Sequence, residues 1–295
     1  MGANGLKQGL PNGLHSGLKN GLSSGLGQGL SLGNTNGTVN TTVPTMNPLL
    51  LKGNKKPIIY GLADFFTQPS SINTTLTDIA STGITLTCNT GGSIRPAPNK
   101  GGAFGTKYSM DFNNSQSYFT NSSSISLSNA FSFISVFKLN GSTSGGLFHL
   151  DSEISPGGCN VSINSTNNQL KSTFYGGSGG SITNSQFVTN QSPNVMNDWI
   201  IASGTYRLSQ PGGAGSEQDL FINGMRQHDL SSSNFTVVTT TISGVNIVVG
   251  NLSTSAPAGA IGMQFGAFIM FNYYLNSQER MLIENYFRMY YGYKF

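Results

Sequence analysis

The chain has 295 residues, of which only 9% are charged, and it carries 39 glycines and a formal charge of +4. A surface kept in water by hydroxyls and amides rather than ions suits an all-β protein with many loops and is unlike a typical cytosolic enzyme. Residues 1–57 hold five lysines and no acid, a charge of +5, and the remainder holds ten basic and eleven acidic residues, a charge of −1. The basic character thus belongs to the N-terminal arm, where it is too dilute, and too poor in interleaved aromatics, for a nucleic-acid partner.

Met1 leads into Gly- and Asn-rich sequence, so no secretory signal is expected, and no apolar run approaches a membrane span. Gly2 lacks the downstream Ser or Thr of a myristoylation site. Residues 5–33 are an internal repeat in which Gly recurs every fourth position and Leu follows it as Leu6, Leu10, Leu14, Leu18, Leu22, Leu26 and Leu30. Collagen needs Gly every third residue. A helix would lose about 1 kcal/mol at each Gly and about 3 at Pro11. In an extended chain a period of four sets every Leu on one face. That ribbon is expected to lie on a partner or on copies of the chain, and the composition equally suits a flexible linker. Polar linker sequence continues to Pro57, and a single domain is expected over residues 58–295.

Strand signals then recur with turn clusters between them: Ile84–Thr87, Ser109–Phe112, Tyr118–Phe119, Phe131–Leu139, Gly146–Leu150, Cys159–Ile163, Leu170–Tyr175, Ile200–Tyr206, Leu220–Ile222, Val245–Val249 and Phe265–Phe271. Many short strands, few charges and Gly-rich turns predict an antiparallel sandwich. The clearest unit is a hairpin over residues 198–224. Trp199, Ile201 and Ser203 alternate with Ile200, Ala202 and Gly204; a Gly/Pro/Ser loop follows, and Asn223-Gly224 closes the second strand. Asn-Gly predicts a type I′ turn, which needs positive φ at both central residues. Trp199, the single tryptophan, is placed to anchor a core.

The end of the chain reads as helix. Asn276-Ser-Gln-Glu279 has capping-box spacing. Met281, Leu282, Ile283, Tyr286, Phe287 and Tyr290 recur every three or four residues, which predicts a helix near 277–290 docked through Leu282, Ile283, Tyr286 and Phe287. Gly292 is placed to stop it. Cys88 and Cys159 stand far apart in sequence without neighbouring His or Cys. They read as buried small apolar residues dispensable for assembly, with a bridge between them left open.

The order of these pieces carries a resemblance. Tyr108-Ser-Met-Asp-Phe112, Phe131 to Phe137, Asp198-Trp199 to Tyr206, Leu220 to Gly224, Asn246 to Gly250, Gly262 to Phe271 and Leu275 to Gly292 follow one another as they do in laminin-G-like domains of the concanavalin-A-like lectin/glucanase superfamily. More narrowly, the chain resembles the versions found in viral and phage structural proteins. The resemblance implies a jelly-roll sandwich over roughly residues 60–295, and no single activity.

His149-Leu-Asp151-Ser-Glu153 is the nearest approach to a catalytic motif. Asp151 and Glu153 would share one face of a strand, about 6.5–7 Å apart, as a hydrolytic carboxylate pair requires. Glucanases of the superfamily carry an acid where this chain has His149, so one acid is missing and no enzyme is expected. Asp151, Glu153, Asn160 and Asn164 are the densest cluster of rim-type oxygen ligands, a candidate sugar site that would also admit calcium. No other cofactor is expected. Tyr175 and Tyr118 are the candidate stacking aromatics. The leading expectation is a virion structural protein, a capsid decoration, fibre or tail component. It would be made without a signal peptide, form homo-oligomers, join other virion proteins through residues 1–57 and display a lectin-like sandwich. The alternative is a carbohydrate-binding adhesin for a host-surface glycan, with a glycoside hydrolase behind both.

Overall fold

The computed structural model describes residues 55–62, 75–76, 80, 82, 84–89, 95–98, 108–112, 118–121, 123–139, 145–150, 158–163, 169–176, 183–189, 199–207, 217–228, 242–250 and 262–291. The Gly-Leu repeat and Leu6 to Leu30 lie outside the described residues, as do Asp151, Glu153 and Asn164. In chain order the strands are β1 (Ile59–Leu62), β2 (Thr75–Leu76), β3 (Leu86–Asn89), β4 (Arg95–Pro98), β5 (Tyr108–Phe112), β6 (Tyr118–Asn121), β7 (Ile125–Leu127), β8 (Ala130–Leu139) and β9 (Gly145–Leu150). They continue as β10 (Gly158–Ile163), β11 (Leu170–Gly176), β12 (Thr183–Val188), β13 (Ile200–Arg207), β14 (Glu217–Ile222), β15 (Met225–Arg226), β16 (Ile242–Val245), β17 (Ile247–Val249) and β18 (Met263–Phe271), followed by helix α1 (Ser277–Tyr291).

Two eight-stranded antiparallel sheets face each other. The first runs β15-β14-β13-β8-β18-β5-β4 with β1 also beside β18; the second runs β12-β11-β10-β9-β17-β6-β3-β2; β16 and β7 pair separately. The expected antiparallel sandwich with a C-terminal helix is the fold. Period-two alternation builds its core. In β8, Phe131, Phe133, Phe137 and Leu139 point inward, and in β18 Phe265, Phe268 and Met270 do so. The second sheet answers with Phe119, Phe148, Leu150, Val161, Ile247 and Val249. Aromatic contacts cross the gap: Phe133 to Phe148 at 4.6 Å between centroids, Phe148 to Phe268 at 5.5 Å and Phe119 to Phe265 at 6.1 Å. These separations are those favoured by edge-to-face and offset rings.

The expected hairpin forms, with Ala202 opposite Ile222 and Arg207 opposite Glu217. Asn223 (φ 52°) and Gly224 (φ 86°) both sit at positive φ, as a type I′ turn requires, and join β14 to β15. Asn223 also prolongs the β13 ladder, because its Oδ1 accepts from the Ile201 amide at 2.9 Å while its own amide donates to the Ile201 carbonyl at 2.8 Å. Trp199 is buried, but it alternates with Ile201 and so belongs to the outer side of the first sheet rather than to the inter-sheet core.

Helix α1 covers that outer side. Its capping box is reciprocal: the Glu279 amide donates to Asn276 Oδ1 at 2.9 Å, and the Asn276 amide donates to Glu279 Oε2 at 3.1 Å. Ile283, Tyr286, Phe287 and Tyr291 are buried, Phe287 edge-on to Tyr60 at 6.3 Å. Tyr291 donates to the carbonyl of Gly266, at the register shift in β18. Leu282 departs from expectation. It is 42% exposed, with Met281 at 46%, and the face it was expected to share is occupied by Arg280 and Glu284. Glu284 Oε1 accepts from Ser203 Oγ at 2.6 Å and from Arg280 Nη1 at 2.5 Å, and the Arg280 guanidinium lies 3.6 Å over the Phe221 ring. A buried charge is tolerable only when paired and hydrogen-bonded in this way.

Val245–Val249 is not one strand. It breaks at Asn246 into β16, paired with β7, and β17, which enters the second sheet between β9 and β6. Strands β1, β2, β4, β7, β12 and β15 are absent from the sequence expectation. β4 contains Pro96 and Pro98, which cannot donate to a ladder and are confined to sheet edges; β4 is an edge strand.

Candidate functional site

The rim cluster read from sequence is represented among the described residues by Asn160. It lies on β10 opposite His149 of β9 and Thr173 of β11, and is 8% exposed. His149 is fully buried and, by alternation with Phe148 and Leu150, sits on the side of the second sheet away from the core. Among the described residues no group of three or more His, Cys, Asp or Glu side chains is placed to hold a metal ion. Tyr118 is half-buried, and the side chain of Tyr175 lies outside the described residues.

The described structure gathers its polar chemistry elsewhere, on the outer side of the first sheet beside the start of α1. Four segments supply it. Strand β13 ends in Arg207, strand β14 presents Glu217 and Asp219 on one face two residues apart, and the β18–α1 connection carries Tyr274. Arg226, opposite Phe221 on β15, completes the group.

The bonding is dense. Arg226 donates to Asp219 Oδ1 through both Nε (2.9 Å) and Nη2 (2.6 Å). Arg207 Nη1 reaches Glu217 Oε2 at 3.4 Å, and its guanidinium carbon lies 4.2 Å from the Tyr274 ring centroid, a cation–π separation. The Tyr274 hydroxyl donates to Glu217 Oε1 at 3.4 Å. Burial pushes that hydroxyl's pKa above its ordinary value, and the carboxylates of Glu217 and Asp219 push the same way. The bond to Asp219 raises the Arg226 pKa further.

The loop that carries Tyr274 is fixed from below. Ser132 Oγ donates to the Tyr273 carbonyl at 2.9 Å and accepts from the Leu275 amide at 2.9 Å. Ser128 holds the preceding residue, its Oγ donating to the Asn272 carbonyl at 3.0 Å and its amide to Asn272 Oδ1 at 2.5 Å. Side chains locked by a second layer of hydrogen bonds are prepared for recognition before any ligand arrives. Sequence reading missed this group because its members come from four separate stretches. The one local signal was Glu217-Gln-Asp219, two acids at strand period beside the hairpin loop.

No family model and no curated protein matches this chain. Solved structures share its fold. The binding domain of paraclostridial mosquitocidal protein 1 matches with a TM-score of 0.54 and 14% identity over 80% of this chain and 55% of that one. The ligand-binding domain of botulinum neurotoxin serotype D, solved in complex with N-acetylneuraminic acid, matches with a TM-score of 0.54 and 12% identity over 80% of this chain and 54% of that one. The sialidase of Trypanosoma rangeli in complex with sialic acid matches with a TM-score of 0.51 and 13% identity over 79% of this chain and 33% of that one. The chain therefore spans a third to about half of the length of these structures. At such identities the likeness is one of fold.

Proposed function

We propose that the sandwich is a glycan-binding module, the adhesin alternative of the two leading sequence expectations. The observation that carries this reading is the shared fold with a toxin ligand-binding domain that holds N-acetylneuraminic acid. The chemistry of the first sheet's outer face supports it. A tyrosine hydroxyl, two carboxylates and two guanidiniums in one patch supply what the hydroxyls of a sugar need, planar polar donors and acceptors side by side. The virion role expected from sequence draws no support from these structures.

The module is proposed to bind without turnover. The two nearest acids of the patch, Glu217 and Asp219, are engaged by Arg207 and Arg226. Each carboxylate is thus already taken up by an ion pair rather than standing free beside a glycosidic oxygen. The test is binding of the full chain to an immobilised glycan panel, followed by incubation of the best ligand with the protein. Saturable binding to a structurally coherent set of glycans, with the ligand recovered intact, is expected. A panel with no saturable ligand would sink the reading, and cleaved ligand would turn it toward the hydrolase.

A further inference from the structure

Which sugars the module takes follows from the balance of charge in the patch, and this step rests on the glycan-binding reading. We propose that Tyr274, Arg207, Glu217, Asp219 and Arg226 form a subsite for an uncharged pyranose rather than for an acidic sugar.

Two guanidiniums and two carboxylates sum to zero net charge, so the patch holds no excess of cation for an anion. An incoming carboxylate would gain contact with Arg207 and Arg226 only while lying against Glu217 and Asp219. Each cation is already committed to a carboxylate. A sugar hydroxyl is a donor and an acceptor at once. It therefore matches a surface on which acceptors and donors alternate, and it does not disturb either ion pair.

The exposures are graded in the way such contact needs. The Arg226 side chain is 67% exposed and that of Arg207 is 41%, so their outer N–H groups reach solvent. Asp219, at 11%, is the buried anchor. Arg226 uses Nε and Nη2 for Asp219, so its Nη1 takes no part in that ion pair. Glu217 and Asp219 lie two residues apart on one strand face, about 6.5–7 Å, a separation that a single pyranose ring bridges. Isolated exposed ion pairs are common and contribute little. This group differs in being assembled around a half-buried tyrosine whose loop is fixed at Tyr273 and Leu275 by Ser132. Fixing the groups beforehand lowers the entropy lost on binding.

The experiment titrates the full chain with methyl β-D-galactopyranoside, methyl α-D-glucopyranoside and N-acetylneuraminic acid, observed by saturation-transfer NMR and calorimetry. At least one uncharged pyranoside is expected to bind more tightly than N-acetylneuraminic acid. Its affinity should change by less than about twofold between low and high salt, because a neutral ligand on a balanced site is not screened. Glu217→Gln, which keeps shape and removes charge, should weaken binding about tenfold. Tyr274→Ala should abolish transfer from the aromatic protons, and Tyr274→Phe should retain it. Tighter binding of N-acetylneuraminic acid, weakening as salt rises, would overturn the proposal. So would pyranoside binding indifferent to both Glu217→Gln and Tyr274→Ala; the glycan-binding reading would then stand with its site elsewhere. If neither the sugars nor the glycan panel binds, the broader reading fails as well.

Discussion

Gly204 shows how closely single positions are determined. A Cβ built there would lie 2.4 Å from Phe133 Cε1, 2.9 Å from the Tyr206 hydroxyl oxygen and 3.0 Å from Leu220 Cδ2. Phe133 has nowhere to go, since it packs on Phe148 at 4.6 Å and on Tyr206 at 6.1 Å. Gly204→Ala should therefore cost about 1–3 kcal/mol, the usual penalty for overpacking a close-packed core. Thermal denaturation reads it directly, and an unchanged melting temperature would mean the rings can shift. The alternation of β13 was legible in the sequence, but not that its inward glycine makes room for a neighbouring tyrosine. That room is made by β8 and β14, which no local pattern mentions.

At the scale of elements, helix α1 separates local from tertiary information. Its start was readable because the capping box is closed by Asn276 and Glu279 alone. Its docking face was misread at Leu282, because periodicity marks an apolar stripe without fixing the angle at which the sheet meets it. The sheet presents Ser203 and Phe221 at the contact, and these take Glu284 and Arg280. Phe287→Ala should consequently cost about 3–5 kcal/mol, while Leu282→Ala should stay within about 0.5 kcal/mol. Equal losses in chemical denaturation would show that Leu282 is buried after all. β4 illustrates the opposite failure. Its prolines argue against a strand until an edge position, which is a property of the sheet, removes the objection.

For the whole molecule, strand order decides what the two cysteines can do. Cys88 on β3 and Cys159 on β10 belong to the same sheet with β6, β17 and β9 between them. Four strand spacings place them about 19 Å apart, and a disulfide needs Cα atoms within about 7 Å. Cys159 is a buried free thiol, and burial pushes its pKa well up, which leaves it unreactive. The melting temperature should be the same with and without reductant. A drop on reduction would contradict the sheet order.

By itself the sequence determined the all-β class, most strand positions, the type I′ turn at Asn223-Gly224 and the cap of the C-terminal helix. Each of these rests on contacts within a few residues, where backbone sterics and side-chain spacing are sufficient. Only the tertiary structure decided which face of the helix is buried, that the cysteines stand apart, and that Arg207, Glu217, Asp219, Arg226 and Tyr274 meet. The polar patch draws on a strand end, a strand middle, a hairpin return and a loop up to 67 positions away, from Arg207 to Tyr274. Such a patch has no period and no motif. It exists because antiparallel pairing fixes register, and register sets side chains from distant stretches on one surface.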